Sequence, residues 1–237
     1  MKDFSRELKK HVMTGVSYMI PAVTVGGVCI AIALATGTAG ANGMEVTNEF
    51  WANINTIGGA AIGFMCPMLA GYIAYSIAGR PGLLPGMTVG YLANNPVGAF
   101  EVKTGFLGAL ILGVAAGYLA KWVKTWNVPK FLKAIMPILI IPIVTTVIVG
   151  LGYIYILANP LGTVVTALTD ALSSLSGGST VLLAIAVGCM IAFDMGGPVN
   201  KVAFSTAAAL IAEGNSSMMG MAGVAICVPP IGMGIAT

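Results

Sequence analysis

Four stretches of this chain, residues 12–35, 57–78, 106–120 and 134–158, run without a single charged side chain. At 1.5 Å per residue such runs suit a hydrocarbon core about 30 Å thick. Within that core no water is available to the peptide groups, so only helices and closed barrels satisfy the backbone. A barrel needs strands of about ten residues with alternating polar and apolar side chains. None of these runs alternates, and the chain is therefore read as helical. Composition agrees: 57% of the 237 residues are apolar and 8% are charged, where a soluble domain carries about a quarter charged residues. The predicted fold class is an all-α polytopic membrane protein with about six to eight membrane segments.

Basic residues set the topology. Lys2, Arg6, Lys9 and Lys10 precede the first run, which places the amino terminus in the cytoplasm by the positive-inside rule. No A-x-A cleavage site follows, so a removable signal peptide is not expected. The connection 37–53 has Glu45 and Glu49 but no Lys or Arg and reads as an external loop; the run after it returns to Arg80 inside. Residues 81–99 are interrupted by Pro85, Pro96 and several glycines. If they did not cross, Lys121, Lys124, Lys130 and Lys133 would lie outside, so they are taken as an irregular crossing. Residues 134–158 run outward again, completing a five-span amino-terminal part, 1–158. Val164, Val165, Leu168, Leu172 and Leu175 then recur at helical spacing, predicting an amphipathic surface helix near 160–176. Gly59-xxx-Gly63 and Gly113-xxx-Gly117 are expected to let helix backbones approach closely. Cys29, Cys66, Cys189 and Cys227 lie within apolar runs without metal-ligand or disulfide spacing and are read as buried small hydrophobes. His11, the lone histidine, sits at headgroup level with no obvious partner for switching chemistry.

The chemistry concentrates in Phe193-Asp-Met-Gly-Gly-Pro-Val-Asn-Lys201. A charge at the centre of a spanning helix costs at least about 2.5–3.5 kcal/mol, so Asp194 and Lys201 need partners or water. Gly196-Gly197-Pro198 supplies a break: proline removes a donor, and paired glycines accept dihedrals that other residues avoid. A broken or re-entrant helix near 194–201 results, with the free N–H groups of a new half-helix facing the gap. Asn200 adds a donor and an acceptor there. A plain ion pair between Asp194 and Lys201, capping a kink, is the competing reading. Arg80 either reaches a phosphate or anchors a helix end; Asn94-Asn95-Pro96 reads as turn chemistry; Glu213 is either a helix-end surface charge or a cavity-lining residue. No nucleotide-binding loop, zinc motif or nucleophile elbow occurs, so no cofactor is expected and nucleic acid is not a partner.

Three ordered blocks resemble a known family. His11-Val-Met-Thr-Gly-Val-Ser-Tyr-Met-Ile-Pro21 with Gly26-Gly27, then Gly79-Arg-Pro-Gly-Leu-Leu-Pro-Gly86 with Gly90-Tyr-Leu-Ala93 and Gly105-Phe-Leu-Gly108, then Ala192-Phe-Asp-Met-Gly-Gly-Pro-Val-Asn-Lys-Val-Ala203, are similar to the fructose-family membrane component (EIIC) of the bacterial phosphotransferase system. The resemblance implies inward movement of fructose coupled to its phosphorylation to fructose 1-phosphate. The implied donor is a phosphocysteine on a B domain (EIIB) served by an A domain (EIIA). It implies a multi-pass protein of the bacterial inner membrane, a homodimer in the bilayer. Asp194, Asn200, Lys201, Gly197, Pro198 and Arg80 would line the substrate site. Residues 159–237 would then begin the substrate-handling part. The family continues past Thr237 into a Gly-Ile-Thr-Glu-Gly-like segment, so the chain is expected to be carboxy-terminally truncated. An ion-coupled secondary transporter and a non-catalytic membrane scaffold are the alternatives.

Overall fold

The computed structural model describes residues 2–40, 43–97, 103–129, 133–163, 180–194, 203, 207 and 217–236. The chain divides into two compact units, Met1–Asn159 and Pro160–Thr237.

In the first unit, α1 (Lys2–Ala35) is a 34-residue helix that passes through Pro21 without ending. A two-stranded antiparallel hairpin follows, β1 (Thr38–Gly40) with β2 (Gly43–Glu45), pairing Thr38 with Glu45 and Gly40 with Gly43. Thus part of the expected external loop is ordered strand. Helix α2 (Glu49–Gly63) starts on an Asn48 cap, whose side-chain oxygen accepts from the N–H of Phe50 at 2.9 Å. Such a cap satisfies one of the orphan donors of the first turn. One residue, Phe64, separates α2 from α3 (Met65–Ala78). Gly79 then turns the chain with φ +78°, a value that favours glycine, and α4 (Arg80–Asn94) runs back along α3. Helix α5 (Gly105–Val123) follows.

Helix α6 (Met136–Thr163) has two irregular turns, Met136–Ile140 and Tyr153–Leu157. In each the bond skips five residues: Ile141 N–H to Met136 O, and Ala158 N–H to Tyr153 O. Proline explains the first: Pro137 brings no N–H, and Pro142 removes the donor that would meet Ile138.

Close backbone approach holds this unit together. Gly82, Gly86 and Gly90 recur every fourth residue on α4 and face α3, so a methyl added to them would lie 2.7 Å from Ala74 O, 2.6 Å from Ala70 O and 2.6 Å from Cys66 O. Helix α5 meets the same residues of α3: a methyl on Gly113 would sit 2.7 Å from Ala70 Cα, and one on Gly117 3.0 Å from Ala74 Cα. Lipid gives helices little hydrophobic reason to associate, so van der Waals contact between backbones carries the packing. The Gly113-xxx-Gly117 expectation holds. Gly59-xxx-Gly63 does not: both glycines face open space, and the contact in α2 is made by Gly58, opposite Gly26 of α1. The error was one of phase, because spacing alone does not say which side of a helix meets a neighbour.

These contacts fix the register. Gly26 of α1 meets Gly58, Gly15 meets Leu69 and Ile73, and His11 Nδ1 lies 2.7 Å from Ser76 Oγ. Helix α1 is therefore antiparallel to α2–α3, and the histidine has a partner that spacing did not reveal. Phe4 and Tyr118 rings lie 5.9 Å apart, and Ala78, Ala120, Val123, Met136 and Ile141 form one apolar cluster. One end of the unit thus gathers the start of α1, the α3–α4 turn, the end of α5 and the start of α6.

Four helical stretches among the described residues are long and apolar enough to span a bilayer: Phe4–Ala35, Glu49–Ala78, Gly105–Val123 and Met136–Thr163. Thr180–Phe193 and Ser217–Val228 are shorter apolar helices. The expected six to eight segments are not reached on this count. Residues 81–99 were expected as an irregular crossing; 80–94 is instead one helix of 15 residues, about 22 Å long, which alone is shorter than the hydrocarbon core.

In the second unit, α7 (Thr180–Asp194) and α8 (Ser217–Ala236) pack through Val187 and Ile191 against Ala222, with Ala203 and Ala207 in the same cluster. Cys66 is buried as expected, but Cys189 and Cys227 are exposed and Cys29 is half-buried. A thiol is apolar enough to face lipid, so an apolar run does not imply an inward position.

Candidate substrate-handling segment

The expected site residues fall in different places. Asp194 is the last described residue of α7. Gly197, Pro198, Asn200 and Lys201 lie outside the described residues, as do Glu213 and the amphipathic helix near 160–176 beyond Thr163. Arg80 belongs to the first unit, exposed at the start of α4 directly after the Gly79 turn.

The described basic side chains, apart from exposed Lys103 before α5, are segregated. Arg6, Lys9, Lys10, Arg80, Lys121, Lys124 and Lys133 are all exposed, and the register places them at the end defined by the start of α1 and the α3–α4 turn. Exposed Glu45 and Glu49 lie at the opposite end, Glu45 after α1 and Glu49 at the start of α2. Trp122 and Trp126 stand among the lysines, edge to face at 5.1 Å and exposed, as aromatic residues do at a membrane–water boundary. This separation is what positive-inside sorting produces, and with the apolar helices it defines an integral α-helical membrane protein.

Sequence reading missed a polar group inside the first unit. Thr104, fully buried before α5, has its Oγ1 2.7 Å from the hydroxyl of buried Tyr153, and its N–H donates to Ala93 O at 3.1 Å. Asn94 donates through Nδ2 to Gly63 O at 3.5 Å, while its Oδ1 and the Oγ1 of Thr145 are buried without a protein partner. Asn94 read as a turn residue and Thr104 gave no signal, because their partners are distant in sequence. Among the described residues no group of His, Cys, Asp or Glu side chains is arranged to hold a metal ion.

Comparison with known proteins identifies the family. A model described as "Phosphotransferase system, EIIC" matches residues 13–236, and the chain belongs to that family. It is 41% identical over 232 residues to "Fructose-like permease IIC component 2" of Escherichia coli K12, covering 98% of this chain and 63% of that protein. It is 37% identical over 251 residues to "PTS system fructose-specific EIIC component" of Haloferax volcanii, covering 99% and 67%. It is also 40% identical over 233 residues to "PTS system fructose-specific EIIABC component" of Bacillus subtilis, covering 96% and 36%. The chain thus spans about two thirds or less of the length of these relatives. No solved structure matches it.

Proposed function

We propose that this chain is the membrane part of a fructose phosphotransferase system, carrying fructose inward as it is phosphorylated to fructose 1-phosphate. A phosphocysteine on a B domain, recharged through an A domain, is the donor. The observation that carries this reading is 37–41% identity across nearly all of the chain to relatives named for fructose. The name of the Bacillus subtilis relative joins A, B and C components in one polypeptide, which supports the same partners here. Segregation of the exposed basic side chains favours an amino terminus on the cytoplasmic side of the inner membrane. A homodimer is the proposed assembly.

The residues fit the task. A neutral polyol is held by hydrogen bonds, and Asp194 and Asn200 offer acceptors and a donor for its hydroxyls. Gly197 and Pro198 open the helix, and the N–H groups that follow, with Lys201, face developing negative charge during phosphoryl transfer. Arg80, exposed at the basic end, is suited to a phosphate oxygen. In the test, the protein is reconstituted in vesicles, and fructose phosphorylation is followed with and without phosphorylated B domain. Phosphorylation only with the donor is the expected result. Equal uptake without it, driven by an ion gradient, would overturn the proposal.

A further inference from the structure

Contacts of three kinds bring the start of α1 onto the last turn of α5 and the end of α3. The rings of Phe4 and Tyr118 lie 5.9 Å apart, His11 Nδ1 lies 2.7 Å from Ser76 Oγ, and the charges of Lys10 and Lys121 both act on the His11 ring. Glu7 supplies the opposing charge there, so two lysines face one carboxylate and the corner keeps an excess of positive charge. Exposed Lys124 follows as the cap of α5. Beside these lysines the indoles of Trp122 and Trp126 are 56% and 40% exposed. Helix α6 begins against the same corner, since Ala120 and Val123 share a cluster with Met136 and Ile141, and its Ile138 and Leu139 stay exposed. Ammonium groups, indoles and an apolar helix surface therefore adjoin one another.

Cytoplasmic sorting and the dipole at the end of α5 account for the lysines alone. They do not call for a pair of exposed indoles beside them. A phospholipid carries the three matching features in the same order: a phosphodiester for ammonium groups, ester oxygens that accept from an indole N–H, and acyl chains for an apolar surface. A zwitterionic lipid brings its own ammonium beside its phosphate, which the lysines repel; a lipid of net negative charge does not. A soluble acidic protein matches the charge but not the apolar rim. We infer that this corner of α1, α5 and α6 is a selective site for an anionic phospholipid. Lys121 and Lys124 hold its phosphate, Trp122 and Trp126 meet its glycerol esters, and its chains lie along Ile138 and Leu139.

Trp122 and Trp126 report on the site once Trp51, the third tryptophan of the chain, is replaced by Phe. The Trp51→Phe chain is reconstituted in phosphatidylcholine containing either dibrominated phosphatidylglycerol or dibrominated phosphatidylcholine, and fluorescence quenching gives their relative affinities. Phosphatidylglycerol should bind at least about fivefold more tightly, the order of one basic side chain's attraction to an anionic surface. Lys121→Gln with Lys124→Gln should remove most of this preference, and Lys121→Arg with Lys124→Arg should keep it. Arg6→Gln with Lys9→Gln removes the same charge from the same end. These two residues lie about 200° and 140° around α1 from Phe4, and their loss should change the preference less than about twofold. Equal quenching by the two lipids refutes the site. If the Arg6 and Lys9 pair matters as much as Lys121 and Lys124, a diffuse potential attracts the lipid and the inference fails. If the lipids are equivalent and added B domain alters the emission of Trp122 and Trp126, the corner docks protein and the inference also fails. Should Trp51→Phe not fold, phosphatidylglycerol and phosphatidylcholine retained by the unsubstituted chain and counted by mass spectrometry give the same comparison. Sugar is absent throughout, so the lipid site and the proposed transport reaction are decided separately.

Discussion

Replacing Gly86 with alanine tests directly whether backbone contact holds the first unit together. The added methyl carbon would lie 2.6 Å from Ala70 O, 2.7 Å from Ala74 Cβ and 2.9 Å from Gly71 Cα, against an ordinary contact of 3.4–4 Å. Two of these neighbours are backbone atoms and the third is a β-carbon, so no rotamer change relieves the clash and α4 must move off α3 by nearly an ångström. Overpacking of this kind costs about 1–3 kcal/mol, and a gap of 0.5–1 Å forfeits a quarter to a half of each neighbouring dispersion contact. Alanine also returns about 1 kcal/mol of helix propensity, which partly masks the loss. Gly59→Ala is the control, because Gly59 has nothing within 4 Å of the new methyl and receives the propensity gain alone. Subtracting the two isolates the packing term. Reversible unfolding of the full chain in mixed micelles, followed by circular dichroism, should place Gly86→Ala about 1–3 kcal/mol below Gly59→Ala. Equal stability of the two variants would refute the register and the backbone contact together.

Tyr153→Phe strands the buried hydroxyl of Thr104 and should cost about 1–3 kcal/mol in the same assay, with Thr104→Val restoring part of it in the double variant; strict additivity would show that the hydroxyls do not interact. His11→Ala and Ser76→Ala should each destabilise by about 0.5–1.5 kcal/mol and couple in a double-mutant cycle, and zero coupling would return His11 to an unpartnered headgroup role. Asp194→Asn or Asn200→Ala should weaken fructose binding measured by calorimetry while leaving membrane insertion intact. Unchanged affinity in both variants would reduce the segment to a structural kink.

Much of the first unit was legible because its signals are local. The apolar run 12–35 falls within α1 and the basic clusters collect at one end of the helices, whereas the crossing expected for 81–99 is not found. What escaped depends on a partner. Gly82, Gly86 and Gly90 carry the same spacing as the misread Gly59 and Gly63, and only the position of α3 distinguishes them. Thr104 and Tyr153 are 49 residues apart and meet only once α5 and α6 are packed. The hairpin strands are three residues each, too short for a period of two to show against a loop. Of the candidate site only Asp194, the last described residue of α7, is placed; the Gly-Gly-Pro break expected after it lies outside the described residues.

The contact that α4 and α5 share at Ala70 and Ala74 has a mechanical consequence. Where peptide planes touch peptide planes, there are no side-chain torsions to redistribute, and strain applied at one helix passes to the next without being absorbed. Helices α3, α4 and α5 therefore move as a block. Any shape change during a working cycle has to be taken up at places with spare hydrogen-bonding freedom, such as the wide turns of α6 at Met136–Ile140 and Tyr153–Leu157.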